Sequence, residues 1–163
     1  MSALLSTLAG ILRLRSGPQD LPASWNLAVL LVAVYLGLGM FSGRQQGDEQ
    51  AAATVLAVTA LQYAAVTLLL YLRRHPERLP QTLCALAGTG AILGLLSFMI
   101  LSQADPAQDQ PVLALAWFSV FFWSLVVDGH IYRHALSITM PQGLLVAVLL
   151  LAASFILVEF IFK

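Results

Sequence analysis

Between Pro111 and Val127 the chain runs for seventeen residues, PVLALAWFSVFFWSLVV, without a charged side chain. A second apolar run extends from Gly143 to Val158. Charges fall instead in short clusters at 13–20, 44–49, 73–78, 105–109 and 128–133. The gaps between them approach the 20 or so apolar residues that a helix needs to cross roughly 30 Å of hydrocarbon. This spacing predicts an all-α integral membrane bundle. It has five transmembrane helices, at about 24–41, 51–72, 81–103, 111–127 and 142–162, and a short interfacial helix at 1–15. The whole chain, 1–163, reads as one transmembrane domain.

Composition agrees. The chain is 60% hydrophobic and 10% charged, where a soluble domain carries about 25% charge. Eight basic and eight acidic side chains cancel, which leaves no basic face for nucleic acid. Cys84 is the single cysteine, so an intramolecular disulfide, a CxxC redox pair and a cysteine-based zinc site are all excluded. Met1–Leu12 carries no basic residue, and Arg13 and Arg15 follow it. That order is the reverse of a signal peptide, so no cleavage is expected.

Leu4, Leu8, Ile11 and Leu12 share one side of an N-terminal helix. It is too short to span, and reads as lying in the membrane interface or binding a partner. Ser16–Pro22, with two prolines and a glycine, breaks the chain. Ser24 can cap the first span, and Trp25 suits the headgroup level. In the second span Ala53, Ala57, Ala60 and Ala64 form a stripe, and in the third Gly90 and Gly94 form a small-xxx-small pair. Such residues let membrane helices approach closely.

With the N-terminus cytoplasmic, that side holds Arg13, Arg15, Arg73, Arg74, Arg78 and Arg133, against Arg44 and Lys163 outside. Six against two predicts an inner-membrane protein with its N-terminus inside and its C-terminus outside.

Four features bear on chemistry. Asp128, His130, Tyr132, Arg133 and His134 form a polar cluster at the expected end of span four. Together with Arg73, Arg74 and Arg78 they make a candidate surface for a partner or lipid headgroups. His130 and His134, four apart on a helix, have the spacing to hold haem iron or a divalent metal. The bland reading is a helix end, where His and Arg favour the dipole. Gln62 and Thr89 are polar residues inside spans. Glu159 is the single acid in an apolar span, and Lys163 at i+4 is placed to pair with it. No phosphate loop, HExxH or GxSxG marks an enzyme, and the reading leans away from one.

The five-span pattern, with Arg15-Ser-Gly-Pro-Gln-Asp-Leu-Pro22 before span one and Trp123-Ser-Leu-Val-Val-Asp-Gly-His-Ile-Tyr-Arg-His-Ala-Leu136 across the end of span four, resembles the Yip (Ypt/Rab-interacting) membrane proteins and their bacterial relatives. The resemblance implies the helix arrangement. In eukaryotes the family implies vesicle trafficking and binding of small GTPases, and a long cytoplasmic N-terminal domain usually precedes the spans there, which these 163 residues do not include.

Three functions remain open. First is a non-enzymatic accessory, assembly or membrane-organising subunit that binds another membrane protein or itself through small-residue faces. Second is a small transporter or channel, for which Gln62, Thr89 and Glu159 would face one cavity. Third is a haem- or metal-binding protein using His130 and His134; otherwise no cofactor is expected.

Overall fold

The computed structural model describes residues 2–105 and 109–161. Among these there are six α-helices: α1 (Ser2–Leu12), α2 (Trp25–Gln45), α3 (Ala51–Leu72), α4 (Leu79–Leu101), α5 (Pro111–Leu136) and α6 (Met140–Ile161). Short 3-10 turns cover Pro18–Asp20 and Pro76–Arg78. The five helices from α2 to α6 are long and apolar enough to cross a membrane, and the chain is a multi-pass membrane bundle. Its outward residues fit lipid, since Leu68, Phe122, Leu149, Phe155 and Phe160 are all exposed.

Local chemistry sets the helix ends. The Ser24 Oγ accepts the Leu27 amide at 3.3 Å and caps α2. Pro80 and Pro111 stand in first turns, where a missing N–H costs nothing. At the opposite ends of α1, α3 and α5, the residues Leu14, Arg74 and Ser137 take φ of 59°, 62° and 54°. After each, an amide reaches back five residues: Arg15 to Gly10, His75 to Leu70 and Ile138 to Arg133. This is the left-handed helix stop that glycine usually makes, here made by residues with side chains.

Arg74 is exposed, and its side chain makes no hydrogen bond or ion pair among the described residues. Arg74→Gly is therefore expected to raise stability by up to about 1 kcal/mol. The check is the melting temperature in mild detergent, and no rise would mean that the helix stop is unstrained.

The central helix is α4. It packs on α2, α5 and α1, and Cys84–Thr89 is buried without a gap. Small residues there admit α1: Leu8 fits against Gly88, and the Trp123 Nε1 donates to the Leu12 carbonyl at 3.1 Å. Leu8 and Ile11 are buried in the protein core. The N-terminal helix thus covers its own bundle with the face that was expected to lie on lipid or a partner.

Two further expectations change. The alanine stripe of α3 does not pack inside the chain, since Ala53, Ala60 and Ala64 are exposed while Thr59, Val66 and Leu70 are buried. And α5 does not end at Val127. It continues unbroken to Leu136, nine residues further (136 − 127), and most of that extension is buried.

One end of the bundle is knitted by its connections. The Gln81 Nε2 donates to the Leu21 carbonyl at 2.8 Å. The Arg78 Nη1 donates to the carbonyls of His134 and Ala135 and to the Ser137 Oγ. The linkers α1–α2, α3–α4 and α5–α6 meet there; the first two carry Arg13, Arg15, Arg73, Arg74 and Arg78, and Arg133 stands in the last turn of α5, which together are the six arginines that the sequence groups on one side.

Candidate functional site

The continuation of α5 moves Asp128 from the helix end into the bundle. It stands eight residues before Leu136 (136 − 128), about 12 Å along the helix at 1.5 Å per residue. Its surroundings give the depth. Tyr35 is residue 11 of the 21 in α2, Gln62 is residue 12 of the 22 in α3, and Leu150 is residue 11 of the 22 in α6. All three share a cavity wall with Asp128. The carboxyl group therefore sits near mid-span of its neighbours.

Two cavities meet at Asp128. One, of about 220 Å3, is lined by Tyr35, Gly94, Ser97, Trp117, Phe121 and Ser124. The other, of about 170 Å3, is lined by Gln62, Ser124, Tyr132, Leu150 and Ser154, again with Tyr35. A third, of about 380 Å3, runs between α2, α3 and α4 from Ser42 and Gln46 to Tyr35, Gly90 and Gly94. Tyr35 is a wall of all three. No lysine or arginine lines any of them.

Asp128 is half-buried and makes no hydrogen bond or ion pair among the described residues. Three phenols, Tyr35, Tyr63 and Tyr132, lie within electrostatic reach of it. The Gln62 Nε2 donates to the Tyr132 hydroxyl at 2.9 Å, and an amide inside a membrane bundle needs such a partner because an unsatisfied one is costly in hydrocarbon. The Tyr63 hydroxyl is buried without a partner among the described residues. A carboxylate in such surroundings loses its hydration, and a lone ion there is costly. It must hold a proton or recruit a positive charge. Functional carboxylates within membranes follow this rule.

The other predicted residues separate into two groups. At the knitted end, His130 and His134 do come together, ring centres 4.6 Å apart. His130 is buried, and its Nε2 lies 2.9 Å from the Ser16 carbonyl. Since a carbonyl only accepts, that nitrogen carries the proton, and Nδ1 alone is left for another ligand. No group of three or more metal-binding side chains occurs among the described residues. Arg78 is engaged with the end of α5, whereas Arg73, Arg74 and Arg133 are exposed. Of the patch expected to meet a partner, these three arginines remain on the surface.

Gln62, Thr89 and Glu159 do not line a common path. Gln62 borders the Asp128 cavity. Thr89 is sealed in α4, its hydroxyl donating to the Ala85 carbonyl at 2.7 Å. Glu159 is exposed near the end of α6, and Lys163, its expected partner, lies outside the described residues. The three residues do not share one cavity, as that reading expected; of them Gln62 alone lines a cavity with Asp128 among the described residues.

Sequence reasoning placed Asp128 at the headgroups. A signal for its true position was present: Trp117, Phe121, Ser124, Asp128 and Tyr132 follow one another at spacings of four, three, four and four. That is one helical face, shared by polar and aromatic residues. Comparison with protein families, with curated proteins and with solved structures finds no match to this chain.

Proposed function

We propose that this membrane protein binds a positive charge, a proton or a cation, at Asp128 inside the bundle, and serves as a small transporter or channel of the inner membrane. The observation that carries the reading is the unpaired carboxyl of Asp128 at mid-span, bordering two cavities without a basic side chain. The third cavity, which shares the Tyr35 wall, supports an approach from the α2–α3 end. Under this reading no catalytic step is required of the chain. The orientation is N-terminus cytoplasmic, on the weight of the arginines at the knitted end. The helix arrangement is of the Yip-like kind.

The test is flux in proteoliposomes containing the purified full chain. Cation- or proton-driven dye response is expected to fall at least about tenfold in Asp128→Asn and to be partly kept in Asp128→Glu. Equal responses of wild type and Asp128→Asn would sink the proposal.

The accessory-subunit reading also has an observation in its favour. The outward Ala53, Ala60 and Ala64 of α3 offer lipid a smooth surface against which another helix can pack closely. It calls for a stoichiometric partner, or a second copy, in gentle-detergent purification. Large side chains at Ala60 and Ala64 would release that partner without changing flux.

A further inference from the structure

We infer that Asp128 is reached from one side of the membrane only, through a passage between the Tyr35 ring of α2 and Gly94 of α4, with that ring as its gate. The inference rests on the reading of Asp128 as a cation site and adds its entrance. The 380 Å3 cavity begins at Ser42 and Gln46, at the α2–α3 end. It reaches inward to Tyr35, seven residues deeper (42 − 35) on α2, about 10 Å at 1.5 Å per residue. Beyond lies the 220 Å3 cavity that borders Asp128. The two cavities share the wall residues Tyr35, Gly90, Gly94 and Ser97. Two of these have no side chain and Ser97 has a short one, so the Tyr35 ring is the bulk of the partition. A methyl at Gly90 would stand 2.9 Å from that ring, which therefore rests against the α4 backbone. One turn further along α4, nothing lies within 4 Å of the position a methyl at Gly94 would take. A gap thus stands beside the ring, and a longer side chain at Gly94 would fill it.

The opposite direction is closed. Past Asp128, α5 is buried from Gly129 to Tyr132 and again at Ala135 and Leu136. Tyr132, one turn beyond the carboxyl group, is fully buried, and the Gln62 Nε2 holds its hydroxyl. The Gly129 backbone lies against that of Gly143 and Leu144, which shuts the crossing of α5 and α6. A cavity of about 250 Å3 at the knitted end, lined by Arg78, Gln81 and His134, shares no residue with the two cavities at Asp128. A charge site at mid-membrane that is open to one face and shut to the other is the arrangement of a carrier with alternating access, not of an open pore.

The experiment reads thiol accessibility, which requires no transport. Cys84 is the single cysteine and is buried, so Cys84→Ala gives a background without thiols. Ser124→Cys then places a reporter on the wall common to both cavities at Asp128. The full chain, in right-side-out and in inverted membrane vesicles, is treated with a charged, impermeant methanethiosulfonate. Gln19→Cys at the knitted end and Ser42→Cys at the α2–α3 end identify the face exposed in each preparation. Ser124→Cys is expected to react only in the vesicles in which Ser42→Cys reacts. Tyr35→Ala should speed that reaction at least about tenfold, and Gly94→Leu should slow it at least about tenfold. Tyr35→Phe keeps the ring and should leave the rate unchanged. Gly94→Leu keeps the test decisive even if Tyr35→Ala folds poorly, because its side chain enters empty space.

Reaction of Ser124→Cys from the knitted end, from both ends, or from neither even in Tyr35→Ala would overturn one-sided entry. A rate unchanged by Gly94→Leu would overturn the passage, and one unchanged by Tyr35→Ala would overturn the gate. Each of these results leaves the cation site of the preceding section standing. Equal flux in wild type and Asp128→Asn, with the thiol pattern as expected, would instead remove the cation site and leave the passage.

Discussion

Gly143→Ala is expected to destabilise the bundle by about 3 kcal/mol, close to a hundredfold in the folding equilibrium. The reason lies where α5 and α6 cross. A methyl group at Gly143 would overlap the Gly129 carbonyl oxygen and stand 3.0 Å from the Arg133 amide nitrogen. A methyl at Gly129 would meet the Leu144 backbone at 3.0 Å. These neighbours are backbone atoms, which cannot turn aside as a side chain can. In lipid there is little hydrophobic gain to hold two helices together, so close backbone contact supplies most of the attraction. Pushing the helices apart weakens every contact of the pair, which is among the most extensive in the molecule.

Gly94→Ala is the control. Nothing lies within 4 Å of the position its methyl would take, and replacing a mid-helix glycine then favours the helix by up to about 1 kcal/mol. Thermal unfolding in mild detergent, followed by circular dichroism, should place the two variants on opposite sides of wild type. If Gly143→Ala melts with wild type, the α5–α6 crossing is not what holds those helices.

This contrast shows what could be read from the sequence and what could not. Spans were legible because charge is excluded from hydrocarbon, and the exclusion is written in the spacing of charged residues. Four of the five spans end within a few residues of where that spacing places them. The end of α5 was misplaced because polar residues beginning at Asp128 look the same whether they leave the membrane or turn inward. The helix had no reason to stop: Gly129 is tolerated within a helix, and the first residue past Leu136, Ser137, makes the left-handed turn.

Close packing was only half legible. A small-xxx-small pair such as Gly90 and Gly94 is visible within one segment. The tightest approach, Gly129 on Gly143, joins two segments and leaves no pattern in either. Gly90 instead makes room for the Tyr35 ring, which places that phenol among the three cavities. In the same way the α3 alanines formed a stripe, but the stripe did not say whether it faces a neighbour or lipid. Asp128 lies between these cases. The face it shares with Phe121, Ser124 and Tyr132 can be read by counting, while the lack of a basic partner depends on which helices surround it.

Arg78→Ala is expected to cost about 2–3 kcal/mol and to loosen the end of α5 before the rest of the bundle. A helix leaves its last carbonyls without partners, and burial makes that costly. Ala135 and Leu136 are buried at this end, so water has limited access. Arg78, arriving from the 3-10 turn before α4, donates from Nη1 to the His134 carbonyl at 3.2 Å, the Ala135 carbonyl at 3.1 Å and the Ser137 Oγ at 2.7 Å. A guanidinium is suited to this because it keeps its charge and presents several donors in one plane. Positive charge at a helix C-terminus adds to the effect through the dipole.

Arg78→Lys retains the charge and loses the fork, so it should recover part of the stability. Hydrogen exchange separates this role from a general loss of packing. Amides over the last turn of α5 should exchange faster in Arg78→Ala, while those around Asp128 stay protected. Uniform exchange along α5 would mean that Arg78 acts on the whole helix. Unchanged exchange at its end would mean that the carbonyls find water without it. In the first outcome the knitted end holds α5 in register, and through α5 it sets the level at which Asp128 meets Tyr35 and Gln62.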